Sequence, residues 1–142
     1  MKPTITIADW TQQRQAASAL RRQVFVVEQG VPEALELDEM DAVSLHALAY
    51  DDHGPLATGR LLPDGHIGRM AVRRDARGAG AGSAVLRALM ERARQRGDRE
   101  VVLHAQLAAQ DFYARHGFAP EGEIFMDAGI EHIAMRRRFS PE

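Results

Sequence analysis

The sequence predicts a single α/β (α+β) domain, with a mixed, mostly antiparallel sheet of six to seven strands and three to four flanking helices. Three observations carry this. The chain has 142 residues, 45% hydrophobic and 27% charged, which suits one core and one domain over 1–142. Short alternating or apolar segments recur between turn-forming clusters, as strands do. Near the middle, a strand runs through a glycine-rich turn into an amphipathic helix, with ββα and βαβ connections on either side.

In chain order, Thr4 to Ala8 alternates and forms the first strand. Asp9 or Thr11 caps the next helix, in which Ala16, Leu20, Val24 and Val27 repeat at helical spacing as core positions. Arg21 to Gln29 ends it, and Gly30 with Pro32 breaks it. Glu33 to Asp41 is polar and holds Glu33, Glu36, Asp38, Glu39 and Asp41. It reads either as a solvated loop or as an acidic lip that attracts a cationic amine. Leu45 to Asp51 and Leu56 to Leu62 read as strands around the turn Asp52-His53-Gly54-Pro55. Pro63-Asp64-Gly65 turns the chain into the central strand, His66 to Val72.

Arg73 to Ala79 is a basic turn. From about Gly80 a helix begins, with Val85, Leu86, Leu89 and Ala93 as its apolar stripe, and Gly97-Asp98 ends it. Glu100 to Gln106 is a strand whose run Val101, Val102, Leu103 implies burial on both faces. Leu107 to His116 is a short helix stopped by Gly117. Glu123 to Met126 and Ile130 to Arg137 form a hairpin across Asp127-Ala128-Gly129.

The formal net charge is −2, so no overall field draws the chain to nucleic acid or membrane. The cluster Arg73, Arg74, Arg77 therefore reads as a small-anion site. The chain has no cysteine, which removes disulfides and thiolate chemistry and fits a reducing, cytoplasmic location. No signal peptide is visible, and no apolar run approaches the ~20 residues of a membrane span. There is no HExxH and no histidine pair at metal-ligand spacing, so no metal is expected. There is no Gly-x-Ser-x-Gly of a serine hydrolase.

Gly78, Gly80 and Gly82 let the backbone curl and let a ligand approach the open N–H groups of the helix start. Those groups carry partial positive charge, so with the arginines they suit a phosphate-rich ligand. No Lys-Ser or Lys-Thr follows, which excludes a Walker A loop. The dinucleotide fingerprint fits poorly, because the next strand does not end in an acidic residue.

Arg77-Gly78-Ala79-Gly80-Ala81-Gly82 resembles the R/Q-x-x-G-x-G/A signature of the GNAT N-acetyltransferases. A second segment, Gln106 to Phe118 (QLAAQDFYARHGF), resembles that family's N-x-x-A-x-x-(F/L)-Y-x-x-x-G-F, with Gln106 in place of the usual Asn. Finer matches point to the ElaA-like subgroup: Arg22 to Gly30, Leu37-Asp38 with Asp41, Ala105-Gln106, Phe112-Tyr113 and Gly129 to Arg136. The resemblance covers almost the whole chain.

The resemblance implies a sheet splayed between its fourth and fifth strands. It also implies acetyl-CoA as co-substrate, with the acetyl group passing to an amine by direct attack on the thioester. The pantetheine arm would pair with backbone near Met70, Ala71 and Val72. The pyrophosphate would sit on Arg77, Gly78, Ala79, Gly80, Ala81, Gly82 and Ser83, with Gln106 and Phe112 completing the cofactor site. Tyr113 matches the general acid that protonates the leaving thiolate. Glu28 is the first candidate for the base; His46, His104 and His132 remain open alternatives. The expected acceptor is a small-molecule or peptide amine, a small cationic one being favoured. An exposed C-terminal strand edge is open to pairing with a second copy as a homodimer. A non-catalytic acyl-CoA-binding or sensing module is the alternative from another class, and a nucleotide-phosphate-binding domain is a weaker third.

Overall fold

Strand β1 (Thr4–Ala8) leads into helix α1 (Trp10–Arg21) in the computed structural model, which describes residues 3–36 and 38–140. Asp9 caps α1, its carboxylate accepting from the Gln12 N–H at 3.0 Å. A π-helical segment, Arg22–Glu28, continues α1, and a one-turn helix α2 (Glu33–Glu36) and a 3-10 turn at Glu39–Val43 follow. Strands β2 (Leu45–Asp51), β3 (Gly54–Leu61) and β4 (His66–Val72) form an antiparallel meander. Helix α3 (Ala81–Gln95) crosses to β5 (Glu100–Gln106), and α4 (Gln110–Arg115) follows a 3-10 turn. Strands β6 (Ala119–Asp127) and β7 (Ile130–Arg138) close the chain as a hairpin.

The seven strands lie in one sheet, in the order β1-β2-β3-β4-β5-β7-β6. All neighbours are antiparallel except β4 and β5, which share only His66↔Val102 and Ile67↔Leu103 before they part. Parallel neighbours need a crossover, and α3 supplies it. Val85, Leu86, Leu89 and Ala93 are all fully buried against Leu61, Val101 and Met135. Each large side chain so buried contributes about 1.5–3 kcal/mol of transfer free energy. The α/β architecture, with its parallel β4–β5 pair, is the one expected.

Several local expectations change. Leu20 and Val24 are core as expected, but Ala16 is only half-buried, its neighbour Ala17 taking the core position, and Val27 is 68% exposed. A π turn uses i→i+5 bonds and more residues per turn, so the apolar phase of α1 is lost there. Strand β6 is longer than expected, with a register irregularity between Glu121 and Phe125. The C-terminal strand β7 is internal to the sheet, and the edge on that side is β6.

The acidic stretch is solvated only in part: Glu33, Asp38 and Glu39 are exposed, but the other two carboxylates turn inward. Glu36 and Asp41 are buried at 6% and 3% exposure. Arg21, itself 1% exposed, pairs with Glu36 and donates to both Asp41 carboxylate oxygens at 2.7 and 3.1 Å. Arg60 donates to Asp38 at 2.6 and 2.9 Å and to Asp41 at 3.0 Å, and Arg69 reaches Asp38 at 3.2 Å. Buried carboxylates need such partners, because an isolated buried charge is strongly unfavourable. Leu37, part of the motif stretch, lies outside the described residues.

Candidate functional site: a cleft between the parted strands

Beyond Ile67 and Leu103 the two parallel strands diverge. At Arg69 φ is +48°, outside the extended region, and here the β3–β4 register shifts before pairing resumes at Ala71, while the pairing with β5 has already ended. The guanidinium of Arg69 donates to the Glu36 carbonyl at 3.2 Å and holds α2 against the parted edge. The gap is a cleft of about 590 Å³. Its walls include Met70 and Val72 on β4, Leu103 and Gln106 on β5, and Tyr113 on α4.

At one end lies the glycine-rich turn. Gly80 is the N-terminal cap of α3 at φ +94°, a left-handed conformation that favours glycine. No side chain caps the helix, so its first N–H groups are left for solvent or a ligand. The backbone from Arg77 to Gly80 is exposed, Ala81 and Gly82 are buried, and Ser83 is half-buried. A β-carbon on Gly82 would lie 3.0 Å from Val72 Cγ2, so this glycine lets α3 start close against β4. Ser83 Oγ lies 3.0 Å from His116 Nε2, tying the start of α3 to the end of α4.

Two side-chain pairs join the end of the π segment to the two walls. Glu28 accepts from Arg77 at 2.5 and 2.7 Å, and Arg77 also donates to the Val72 carbonyl at 3.1 Å. Arg77 thereby holds the Glu28 carboxyl below its usual range, and Glu28 is not among the cleft's lining residues. Gln29 and Gln106 exchange amide hydrogen bonds at 3.3 and 2.9 Å. Gln106 therefore faces the cleft with its amide engaged by protein.

Tyr113 is 8% exposed, and burial pushes its phenol up to about 12. Phe112 packs edge-on against it at 5.1 Å and tilts over His116 at the same separation. Ala71 is buried within β4, between the cleft-lining Met70 and Val72. Of the sequence-named residues, Met70, Val72, Arg77, Gln106 and Tyr113 line one gap, and Glu28 sits behind Arg77.

The histidines separate. His46 is 1% exposed, bonds through Nε2 to the Asp41 carbonyl at 2.9 Å and packs on Trp10; burial pushes its imidazole down. It belongs to the charge network and not to the cleft. His104 and His132 line the cleft, joined by His66. Sequence reasoning missed His66, Arg69, Arg60 and Gln29 as cleft residues. Nothing in their local spacing marks them, because strands far apart in sequence bring them together. Among the described residues, no group of three His, Cys, Asp or Glu is placed to hold a metal ion, and no helix is long and apolar enough to cross a membrane.

Comparison with known proteins agrees with this geometry. The profile of the family described as "Acetyltransferase (GNAT) domain" matches residues 8–139. The chain is 37% identical over 135 residues to the uncharacterized N-acetyltransferase YjcF of Bacillus subtilis (strain 168), covering 92% of this chain and 96% of that one. The crystal structure of an acyl-CoA N-acyltransferase from Pseudomonas aeruginosa superposes with a TM-score of 0.84 at 33% identity, over 95% of this chain and 99% of that one. That of Escherichia coli ElaA superposes at 0.86 with 29% identity, over 95% and 99%.

Proposed function

Because the chain belongs to the GNAT family of N-acetyltransferases and is ElaA-like within it, we propose that it transfers an acetyl group from acetyl-CoA to the nitrogen of a small-molecule or peptide amine in the cytoplasm. The observation that carries this is the cleft between β4 and β5, whose lining includes Arg77, three residues ahead of the uncapped start of α3 at Gly80, and a buried tyrosine.

Each residue then has a task. The α3 N-terminus and the backbone of Arg77 to Ser83 receive the pyrophosphate, where free N–H groups and helix polarity favour an anion. The pantetheine arm lies along Met70, Ala71 and Val72, and Gln106 and Phe112 flank it. The amine nitrogen attacks the thioester carbonyl carbon; the C–N bond forms and the C–S bond breaks. A backbone N–H of β4 stabilises the oxygen as it becomes negative. Tyr113 donates its proton to the departing sulfur, then regains one from solvent. A phenol is protonated at neutral pH, and burial raises this one further, so it starts each turnover as a donor. Glu28 acts by holding Arg77 in place; as a base it is weakened by that same arginine.

The test is coenzyme A thiol release from acetyl-CoA with a pool of primary amines, wild type beside Tyr113→Phe. The expected result is amine-dependent release that falls about 10²-fold or more in the variant, with the acetyl-CoA Kd unchanged. Acetyl-CoA binding without amine-dependent release would favour the non-catalytic module instead. Unchanged turnover in the variant would remove Tyr113 from the reaction.

A further inference from the structure

The cleft has a second end, and its chemistry differs from the first. His132 on β7, His104 on β5 and His66 on β4 all line it, with Asp127 at the end of β6. His132 lies opposite Gln106 in the β5–β7 ladder. It therefore stands beside the open part of the splay, three residues past the paired level of Leu103 and Ile67. His104 lies one step back, edge-on to His66 at 5.7 Å and to Phe125 at 5.2 Å.

Only one of these rings has its tautomer set by backbone. His132 Nδ1 lies 2.7 Å from the Ile130 carbonyl oxygen. A carbonyl only accepts, so Nδ1 must carry the proton and donate it. Nε2 of the neutral ring is then left as a bare lone pair. The ring is nine-tenths buried and stacks on Phe125 at 5.8 Å with an interplanar angle of 25°, so its orientation is fixed.

We propose that His132 is the general base of the transfer, its Nε2 accepting the proton that the acceptor amine sheds on attacking the thioester. This rests on the transferase reading. The proton leaves nitrogen as the C–N bond forms, His132 becomes an imidazolium, and it loses that proton to solvent between turnovers. The cation so formed faces Asp127 from β6, Glu36 from α2, His104 from β5, His66 and Arg69 from β4 and Arg60 from β3 across the cleft. Glu36, Arg60 and Arg69 are each engaged in internal ion pairs. This assignment also gives the acid and the base separate elements, α4 and β7, on one cleft.

His132→Asn is the informative variant. Its side-chain amide N–H replaces the Nδ1–H donor to Ile130, so the fold is kept, while the Nε2 acceptor is gone. With the amine that the pool identifies, kcat falls about 10²-fold, the KM for acetyl-CoA is unchanged, and the acid limb of the kcat–pH profile disappears. Imidazole restores part of the rate to His132→Ala. Independently of any acceptor, ¹⁵N NMR of the imidazole in the full wild-type chain reads a protonated Nδ1 and a bare Nε2 on His132. A proton on Nε2 in the neutral ring, or an acid limb retained by His132→Asn, overturns the proposal. If the wild type releases no thiol with any amine, the transferase reading falls; if an active enzyme is not slowed by His132→Asn, only the histidine's role falls.

Discussion

Tyr113 illustrates how one residue joins stability to chemistry. Its motif, Phe112-Tyr113 before His116-Gly117-Phe118, marks it in the sequence, but the height of its pKa comes only from burial among Leu103, Phe118 and Met135. The phenol is raised from 10 to about 12 in the fold. A raised pKa means the unfolded chain releases this proton first as pH rises. The stability it contributes is complete below about 10 and is lost between about 10 and about 12. Unfolding titrations over that range should show a fall of about 2–3 kcal/mol in wild type. In Tyr113→Phe that component should be missing. A fall of the same size in the variant would place its source elsewhere. Glu28 teaches the converse: its place at the end of the first helix is legible, but its partner, Arg77, lies 49 residues away in sequence and changes what its carboxylate can do.

Among the elements, the turn into α3 was the most legible, because its requirements are local. A left-handed cap needs glycine, an anion site needs open N–H groups, and both are written within Arg77 to Ser83. Gly80→Ala tests this at φ +94°. Nothing lies within 4 Å of where the new β-carbon would sit, so the cost is conformational rather than steric. Thermal unfolding should report a loss of about 1–2 kcal/mol, and calorimetry a weaker acetyl-CoA Kd by roughly tenfold if the turn must distort to hold the pyrophosphate. Loss of stability with unchanged affinity would separate the cap from the binding site. The π segment was illegible by comparison. Val24-Phe25-Val26-Val27 reads as continued apolar helix, and only the packing of Gln29 against Gln106 and Glu28 against Arg77 explains why the wider turn is held.

At the scale of the molecule, the buried charges fasten the first helix, the acidic stretch and the sheet together. Arg21, Arg60 and Arg69 balance Glu36, Asp38 and Asp41 around His46. Removing one charge leaves the others uncompensated. Asp41→Asn should lower unfolding free energy by about 3–5 kcal/mol in denaturant titration, whereas Glu33→Gln, on an exposed pair with Arg22, should change it by less than about 1 kcal/mol. Equal effects would refute a buried network. The hydrogen bond from Arg60 holds Asp38 down at about 2, so its share of stability is present above about 4, the ordinary Asp value, and is lost as pH falls through about 2. Strand β6 is one of the two sheet edges, and on it Ile124 and Met126 are 51% and 63% exposed.

The sequence by itself determined the class of fold, the order of its main strands and helices, the glycine-rich start of α3, and the candidate acid. Each rests on contacts within a few residues: periodicity, a cap, a glycine, a motif. The tertiary structure alone decided three things. It paired Glu36, Asp38 and Asp41 with arginines from α1, β3 and β4, tied Glu28 to Arg77, and set His132 with a fixed tautomer on the cleft beside Gln106. These depend on strands brought together from distant parts of the chain. Charge pairing and proton affinity are set by what surrounds a group in space, which local spacing does not encode.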